Sequence, residues 1–260
     1  MGKRIVSLLV AALVCLTAVA GLDHAESADS TAPGSPAASI PLAEAEPVPA
    51  GRDWLGLDTS TVPPTGISLD VLSLAVGAVR CAVAAGDIER PPTLTVIDYS
   101  LPSVEPRLWV FDTRTGEVLF HELVAHGRNT GENMATRFSD APNSRQSSIG
   151  LFVTASTYVG RNGYSLRLDG LEPGFNGHAR ERAIVMHGAP YVDQEMALRQ
   201  GRLGRSWGCP ALREAVARDV IDTIRGGGVI FSYYPDDEWL ASSRYLNECG
   251  AGVPPVLAAD

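Results

Sequence analysis

Seven short β-rich runs separated by loops of Gly, Asn, Ser and Pro fill residues 94–234. They cover 94–99, 107–112, 117–125, 148–159, 164–168, 183–186 and 229–234. Helical periodicity is confined to two places, Ser68–Ala84 ahead of the strands and Leu212–Arg225 before the last one. Strands that follow one another without a helix between each pair exclude an alternating βαβ fold and predict a mainly β domain. Thr113-Arg114-Thr115-Gly116 is the best hairpin turn in the chain. Ser68 and Gly86 mark the start and stop of the first helix, and Gly226-Gly227-Gly228 closes the second.

The first 50 residues stand apart. Lys3 and Arg4 precede an apolar run from Ile5 to Ala18, and Ala18-Val19-Ala20 supplies a small-residue cleavage pattern. Residues 1–20 therefore read as a signal peptide, with a retained membrane anchor as the alternative. Residues 21–50, rich in Ala, Ser, Pro and Glu, bury too little surface to offset ordering entropy and read as a flexible tether. Residues 51–260 are expected to form a single domain with an ample core. The mature protein is expected outside the cytoplasm, in the periplasm or extracellular wall space, and free of the membrane.

The formal charge of -9 falls to about -11 when the two cations of the leader are removed, which argues against a nucleic-acid partner. Without Cys15 in the leader, three cysteines remain: Cys81, Cys209 and Cys249. An odd number in an oxidising compartment flags one working thiol. The economical arrangement bridges Cys81 to Cys249 and leaves Cys209 reduced; three buried free thiols are the bland alternative.

The segment Arg182–Leu212 carries the chemistry. An apolar strand runs into His187-Gly188, and Gly204-Arg205-Ser206-Trp207-Gly208-Cys209-Pro210 follows some twenty residues later, ahead of a helix. A cysteine just before a helix feels the positive end of its dipole, which favours the thiolate. Gly208 lets backbone approach a substrate carbonyl, and the Gly208 and Cys209 amides form a candidate oxyanion site. His187, rigid at a strand end, is the candidate general base.

This segment resembles the catalytic signature of the YkuD-type L,D-transpeptidases, in which a strand-borne His-Gly precedes Ser/Thr-x-Gly-Cys. More narrowly, it is similar to the murein L,D-transpeptidase catalytic-domain branch with the GRSWGCP pattern. Val124–Asn129, Phe138-Ser139, Ser147–Gly150 and Asn176–Ala179 match that branch as well, so the likeness covers roughly residues 67–234. It implies a YkuD-like β-sandwich or barrel with an N-terminal helix and a helix after the cysteine. It implies Cys209 as acyl-accepting nucleophile, His187 as base, and the Gly188 carbonyl as orienter of the imidazole. Ser206 would border the site, and Gly208 with Cys209 would line the oxyanion hole. The implied reaction is acyl transfer on peptidoglycan stem peptides, with release of D-Ala and no cofactor. A penem-type β-lactam, which mimics the acyl donor, is implied as an inhibitor. Trp207 stands where the commoner form has His, and Ala211 where it has Asn or Arg; Trp207 is the residue of the narrower branch.

Other polar residues have two readings each. Arg202 and Arg205 either hold a carboxylate of a stem peptide or are solvated loop charges. His126 either supports the fold or positions substrate from the opposite wall, and Tyr191 either contacts imidazole or substrate or belongs to the core. His178, Arg180 and Arg182 read as a network behind the site. Competing functions are a cysteine L,D-carboxypeptidase or amidase, a sortase, a non-catalytic wall-binding module, and a zinc hydrolase using His126, His187 and Cys209. The last lacks the close ligand spacing of zinc sites.

Overall fold

The structure, a computed structural model, describes residues 55–57 and 66–249. The expected leader, and the expected tether at 21–50, lie outside the described residues. Helix α1 (Leu69–Ala84) leads into strands β1 (Thr93–Asp98), β2 (Leu108–Asp112), β3 (Val118–Glu122) and β4 (Val124–Ala125). The long hairpin β5 (Gly150–Gly160) and β6 (Gly163–Gly170) follows, then β7 (Val185–Gly188) and helix α2 (Gln194–Gln200). The chain continues through β8 (Ala211–Leu212), α3 (Glu214–Ile224), β9 (Val229–Tyr233), α4 (Asp237–Ser242) and α5 (Arg244–Asn247).

The nine strands of the described residues join in one sheet, ordered β3-β2-β1-β9-β5-β6-β7-β8-β4. Its two outer strands, β3 and β4, are separated in the chain only by Leu123. A sheet whose opposite edges are consecutive residues must curl almost to closure, and this one is a nearly closed, mainly β barrel. The expected strand at 117–125 is thus divided, its first part pairing with β2 and its last with β8.

Strand β1 is buried along its whole length, between antiparallel β2 and parallel β9. Side-chain alternation then distributes apolar groups to two cores. Leu94 and Val96 join Trp109, Phe111, Phe231 and Trp239 under α1, α4 and α5. Ile97 joins Val110, Phe152, Leu166 and Met186, closed over by Val220, Ile221 and Ile224 of α3. Apolar faces on α1 (Leu72, Ala75, Val76, Val79) explain why that helix packs rather than floats. Cys81 on α1 is bridged to Cys249 beyond α5, with Cα atoms 5.4 Å apart. Cys209 is the free cysteine among the described residues.

Three boundaries differ from expectation near the site. Ala183 takes a left-handed backbone, with φ of 53°, so β7 cannot start before Val185. The second helix begins at Glu214 rather than Leu212, because Ala211 and Leu212 form β8, parallel to β7 and antiparallel to β4. Helix α2 is an addition to the expected elements, although Asp193 caps it by accepting the Met196 N–H and Gly201 ends it with φ of 71°. No helix among the described residues is long and apolar enough to cross a membrane.

Candidate active site

His187 sits on β7, opposite Ala211 of β8 in parallel register, and its N–H reaches the Pro210 carbonyl at 3.4 Å. This pairing brings the turn holding Cys209 beside the imidazole, and both side chains line a cleft of about 620 Å³. His187 Nδ1 lies 2.9 Å from the Gly188 carbonyl. A carbonyl only accepts, so Nδ1 carries the proton and Nε2 keeps its lone pair. Burial holds the His187 pKa below its usual range, partly opposed by the Gly188 bond, which keeps the imidazole neutral at pH 7.

Cys209 is almost fully buried, and its Sγ is 3.8 Å from the carbonyl of Ala183. The expected helix-dipole activation fails, because β8 separates Cys209 from α3. Burial instead pushes the thiol above its usual range, while a backbone bond at Val185 and the Arg182 charge pull it back. The resting pair is therefore neutral thiol and neutral imidazole.

The turn that presents Cys209 is tied down by one hydroxyl. Ser206 Oγ accepts the Gly208 N–H at 3.0 Å and donates to the Cys209 carbonyl at 2.6 Å. Of the two amides expected at an oxyanion site, that of Gly208 is already committed to Ser206, which leaves Cys209's. Gly208 has φ of 124°, and a Cβ there would stand 2.7 Å from the Gln146 carbonyl. Its own carbonyl accepts from Ser147 Oγ at 3.1 Å, and Ser147 Oγ also accepts the Gly127 N–H at 3.0 Å.

Loop 126–132 forms the wall behind this turn. Ser206 N–H donates to the His126 carbonyl at 3.0 Å, and Arg128 N–H to the Ser206 carbonyl at 2.8 Å. The His126 side chain lines neither cleft beside Cys209. Buried Arg107 donates to His126 Nδ1 at 2.8 Å and to the Val124 and Leu101 carbonyls. Arginine has no lone pair to offer, so His126 is neutral with its proton on Nε2. That Nε2 is buried with no partner at full hydrogen-bond geometry among the described residues. Burial and the Arg107 charge lower the His126 pKa to about 4, although the Gly131 and Glu132 backbone lies close enough to oppose the shift. It supports the loop from behind. The ligand set weighed for zinc does not come together, and no cluster of three or more metal-binding side chains exists among the described residues.

The arginines expected to meet substrate are already paired. Arg202 bonds Glu132 at 2.9 Å and lines neither cleft; Arg205 bonds the same carboxylate at 2.6 Å and lines the first cleft. Tyr191 also lines it, its hydroxyl pushed up to about 12 by burial and by Cys209. His178 and Arg182 meet on Asp140, at 2.7 and 3.7 Å, whereas Arg180 turns away to pair with Asp169.

A second cleft, of about 600 Å³, also reaches Cys209. Asn162, Trp207 and Cys209 line both. Trp207 is 62% exposed, a ridge between the two. Arg161 and Asn162, the tip of the β5–β6 hairpin, line the first cleft as well. Sequence reasoning passes over Arg161, Asn162, Arg145 and Glu214; Gly160-Arg161-Asn162-Gly163 is itself a tight-turn signal that points to the hairpin tip.

The model of the L,D-transpeptidase catalytic domain matches residues 64–233, all but the ends of the described region. The chain belongs to that family. No curated protein sequence matches it. Among solved structures it is similar to an L,D-transpeptidase from Mycobacterium smegmatis, at 15% identity and a TM-score of 0.36 over 55% of this chain and 59% of that one. An L,D-transpeptidase complexed with imipenem matches at 19% identity and 0.34 over the same shares, 55% and 59%. One from Xylanimonas cellulosilytica matches at 15% and 0.32, over 59% of this chain and 68% of that one. The chain thus spans 59% of the length of the first two.

Proposed function

We propose that this L,D-transpeptidase-family domain is an exported cysteine acyltransferase of peptidoglycan stem peptides, with Cys209 as nucleophile and His187 as base. The observation that carries the reading is a buried thiol sharing a cleft with an imidazole whose Nε2 lone pair is kept free by the Gly188 carbonyl. In the first step Cys209 Sγ bonds to the carbonyl carbon of the L-to-D amide, and its proton passes to His187 Nε2. The Cys209 N–H faces the developing oxyanion. Collapse breaks the C–N bond, and the Nε2 proton goes to the departing amine of D-Ala. In the second step an acceptor amine attacks the thioester, gives a proton to Nε2, and expels the thiolate, which recovers that proton.

Two clefts that meet at Cys209 favour transfer to an amine over hydrolysis, since donor and acceptor need separate room. Export is supported by the leader-like first 20 residues and by the Cys81–Cys249 bridge, which suits an oxidising compartment. A penem-type β-lactam would acylate Cys209 as a mimic of the donor.

The test is incubation of the protein and its Cys209→Ala variant with disaccharide-tetrapeptide, followed by mass spectrometry. A cross-linked dimer with loss of D-Ala, absent from the variant, supports the proposal. Loss of D-Ala without dimer turns it into a carboxypeptidase. No product with either protein defeats the enzyme reading for this substrate.

A further inference from the structure

The two clefts that meet at Cys209 differ in charge. The first holds Arg161, Arg205 and the acidic Glu214, and Arg205 is spent on Glu132. The second is lined by Arg145 and Arg182 and, among the described residues, by no acidic side chain. In a chain of formal charge -9, a cationic cavity beside a nucleophile marks the place of an anionic ligand.

The two arginines have different tasks. Arg182 is a strut: Nη1 donates to the Ser139 carbonyl at 2.7 Å and to Ser148 Oγ at 2.6 Å, and Nη2 to Ser144 Oγ at 3.0 Å and to the Gln146 carbonyl at 2.7 Å. Asp140 answers its charge at 3.7 Å, while holding His178. Arg145 is exposed and has no ion-pair or hydrogen-bond partner for its side chain among the described residues. Its guanidinium lies over the Trp207 ring, 4.7 Å from the centroid, which orients its N–H fork without using it.

The loop is shaped to hold it there. Asn143 and Arg145 both take left-handed backbone, with φ of 60° and 55°, on either side of Ser144. Asn129 pins the same stretch, its Nδ2 on the Ser144 carbonyl at 2.8 Å and its N–H on the Arg145 carbonyl at 3.1 Å.

We propose that the cleft between Asn143, Arg145, Arg182 and Trp207 is a carboxylate subsite, in which Arg145 binds a carboxylate of the acyl donor while the scissile amide lies at Cys209. The inference rests on the acyl-transfer reading above. The carboxylate belongs either to the leaving D-Ala or to the side chain of the third stem residue, and Arg145 offers both the same bidentate recognition. Trp207 then serves as the stacking base of that arginine. The first cleft, which holds the carboxylate of Glu214, is left for the amine acceptor.

The experiment titrates Cys209→Ala protein, which cannot turn over, with three tetrapeptides by calorimetry. One has every carboxylate free, one a C-terminal D-Ala carboxamide, and one a carboxamide on the third-residue side chain. The expected result is that one of the two amides binds about tenfold more weakly than the acid, as for loss of a charge-assisted pair. That amide names the carboxylate. Adding Arg145→Met should weaken the acid to the same level and leave that amide unchanged, with an unaltered melting temperature. Both amides binding as tightly as the acid overturns the subsite, as does discrimination that survives Arg145→Met, or no binding of any peptide. Release of the fourth residue by the wild-type protein, as D-Ala or as D-alaninamide, is followed in parallel: its absence defeats the transferase reading, whereas release at equal rates from all three peptides defeats the subsite alone.

Discussion

Ser206 holds Cys209 through the backbone: its hydroxyl donates to the Cys209 carbonyl at 2.6 Å while accepting the Gly208 N–H at 3.0 Å. The hydroxyl therefore sets the direction of the peptide planes on either side of Cys209. Replacing Ser206 with Ala strands two buried backbone groups, at about 1–3 kcal/mol each. Ser206→Ala should lower kcat by about 10- to 100-fold in D-Ala release and reduce the melting temperature by several degrees. Unchanged kcat in a folded variant would detach Ser206 from the chemistry.

Gly208 is expected to tolerate no side chain. Its φ of 124°, and the Gln146 carbonyl only 2.7 Å from where a methyl group would stand, leave the turn no way to keep its path. Gly208→Ala should abolish acyl transfer, and iodoacetamide labelling of Cys209 should change in rate because the thiol moves. A variant with wild-type turnover would refute the close-approach argument.

The pH–rate profile follows from the neutral pair. Burial lowers His187 from 6.5 and raises Cys209 from 9.0. The base form of His187 is lost as pH falls through its depressed pKa, so kcat/KM should drop only on the acidic side of 6.5 and stay level up to about pH 9. The same expectation holds for iodoacetamide: labelling should climb above pH 9. A thiolate titrating below pH 7 would contradict it and indicate a preformed ion pair.

His126 makes stability depend on pH. Its folded pKa of about 4 lies below the ordinary 6.5, so the unfolded chain binds the extra proton first. The contribution is complete above pH 6.5 and disappears as pH falls toward 4, a change of about 3 kcal/mol. Urea melts of wild type and His126→Gln at pH 7 and pH 4.5 should show a smaller pH effect in the variant. Equal pH slopes would mean that burial and the Arg107 charge do not hold the imidazole neutral.

The Cys81–Cys249 bridge spans 168 residues of sequence. In the chain-entropy model a loop of that size is stabilised by about 5 kcal/mol, less whatever order the reduced chain keeps. Cys81→Ala with Cys249→Ala should lower the melting temperature by roughly 5–15 °C while leaving the Cys209 labelling rate unchanged. A variant that melts with the wild type would show that α1 and α5 hold each other without it.

The legible parts of this chain are those written in local rules. The Thr113–Gly116 turn and the apolar runs announce their elements through spacing alone, and the match of Arg182–Leu212 to a family pattern points to the cleft. What stays hidden depends on partners far away in sequence. Arg107 looks like a solvent-facing strand end, yet it is fully buried because Val124, Leu101 and His126 supply its acceptors. Strand β8, two residues long, exists only because β7 and β4 flank it, and without it the helix dipole seems to reach Cys209. Arg145 carries no periodic signal; its place over Trp207 arises from two left-handed residues that composition does not reveal.

The continuity of β3 and β4 through Leu123 bears on how the barrel is assembled. A one-residue slip of β3 against β2 would turn its side chains over. With a single residue between them, the slip would be handed on to β4, and from Ala125 to its partner Ala211, two positions beyond Cys209. The strand that joins the two ends of the sheet thus acts as a checkpoint for register. A chain closed out of step cannot bring its thiol to the imidazole, so the appearance of activity during refolding would time the moment the barrel locks.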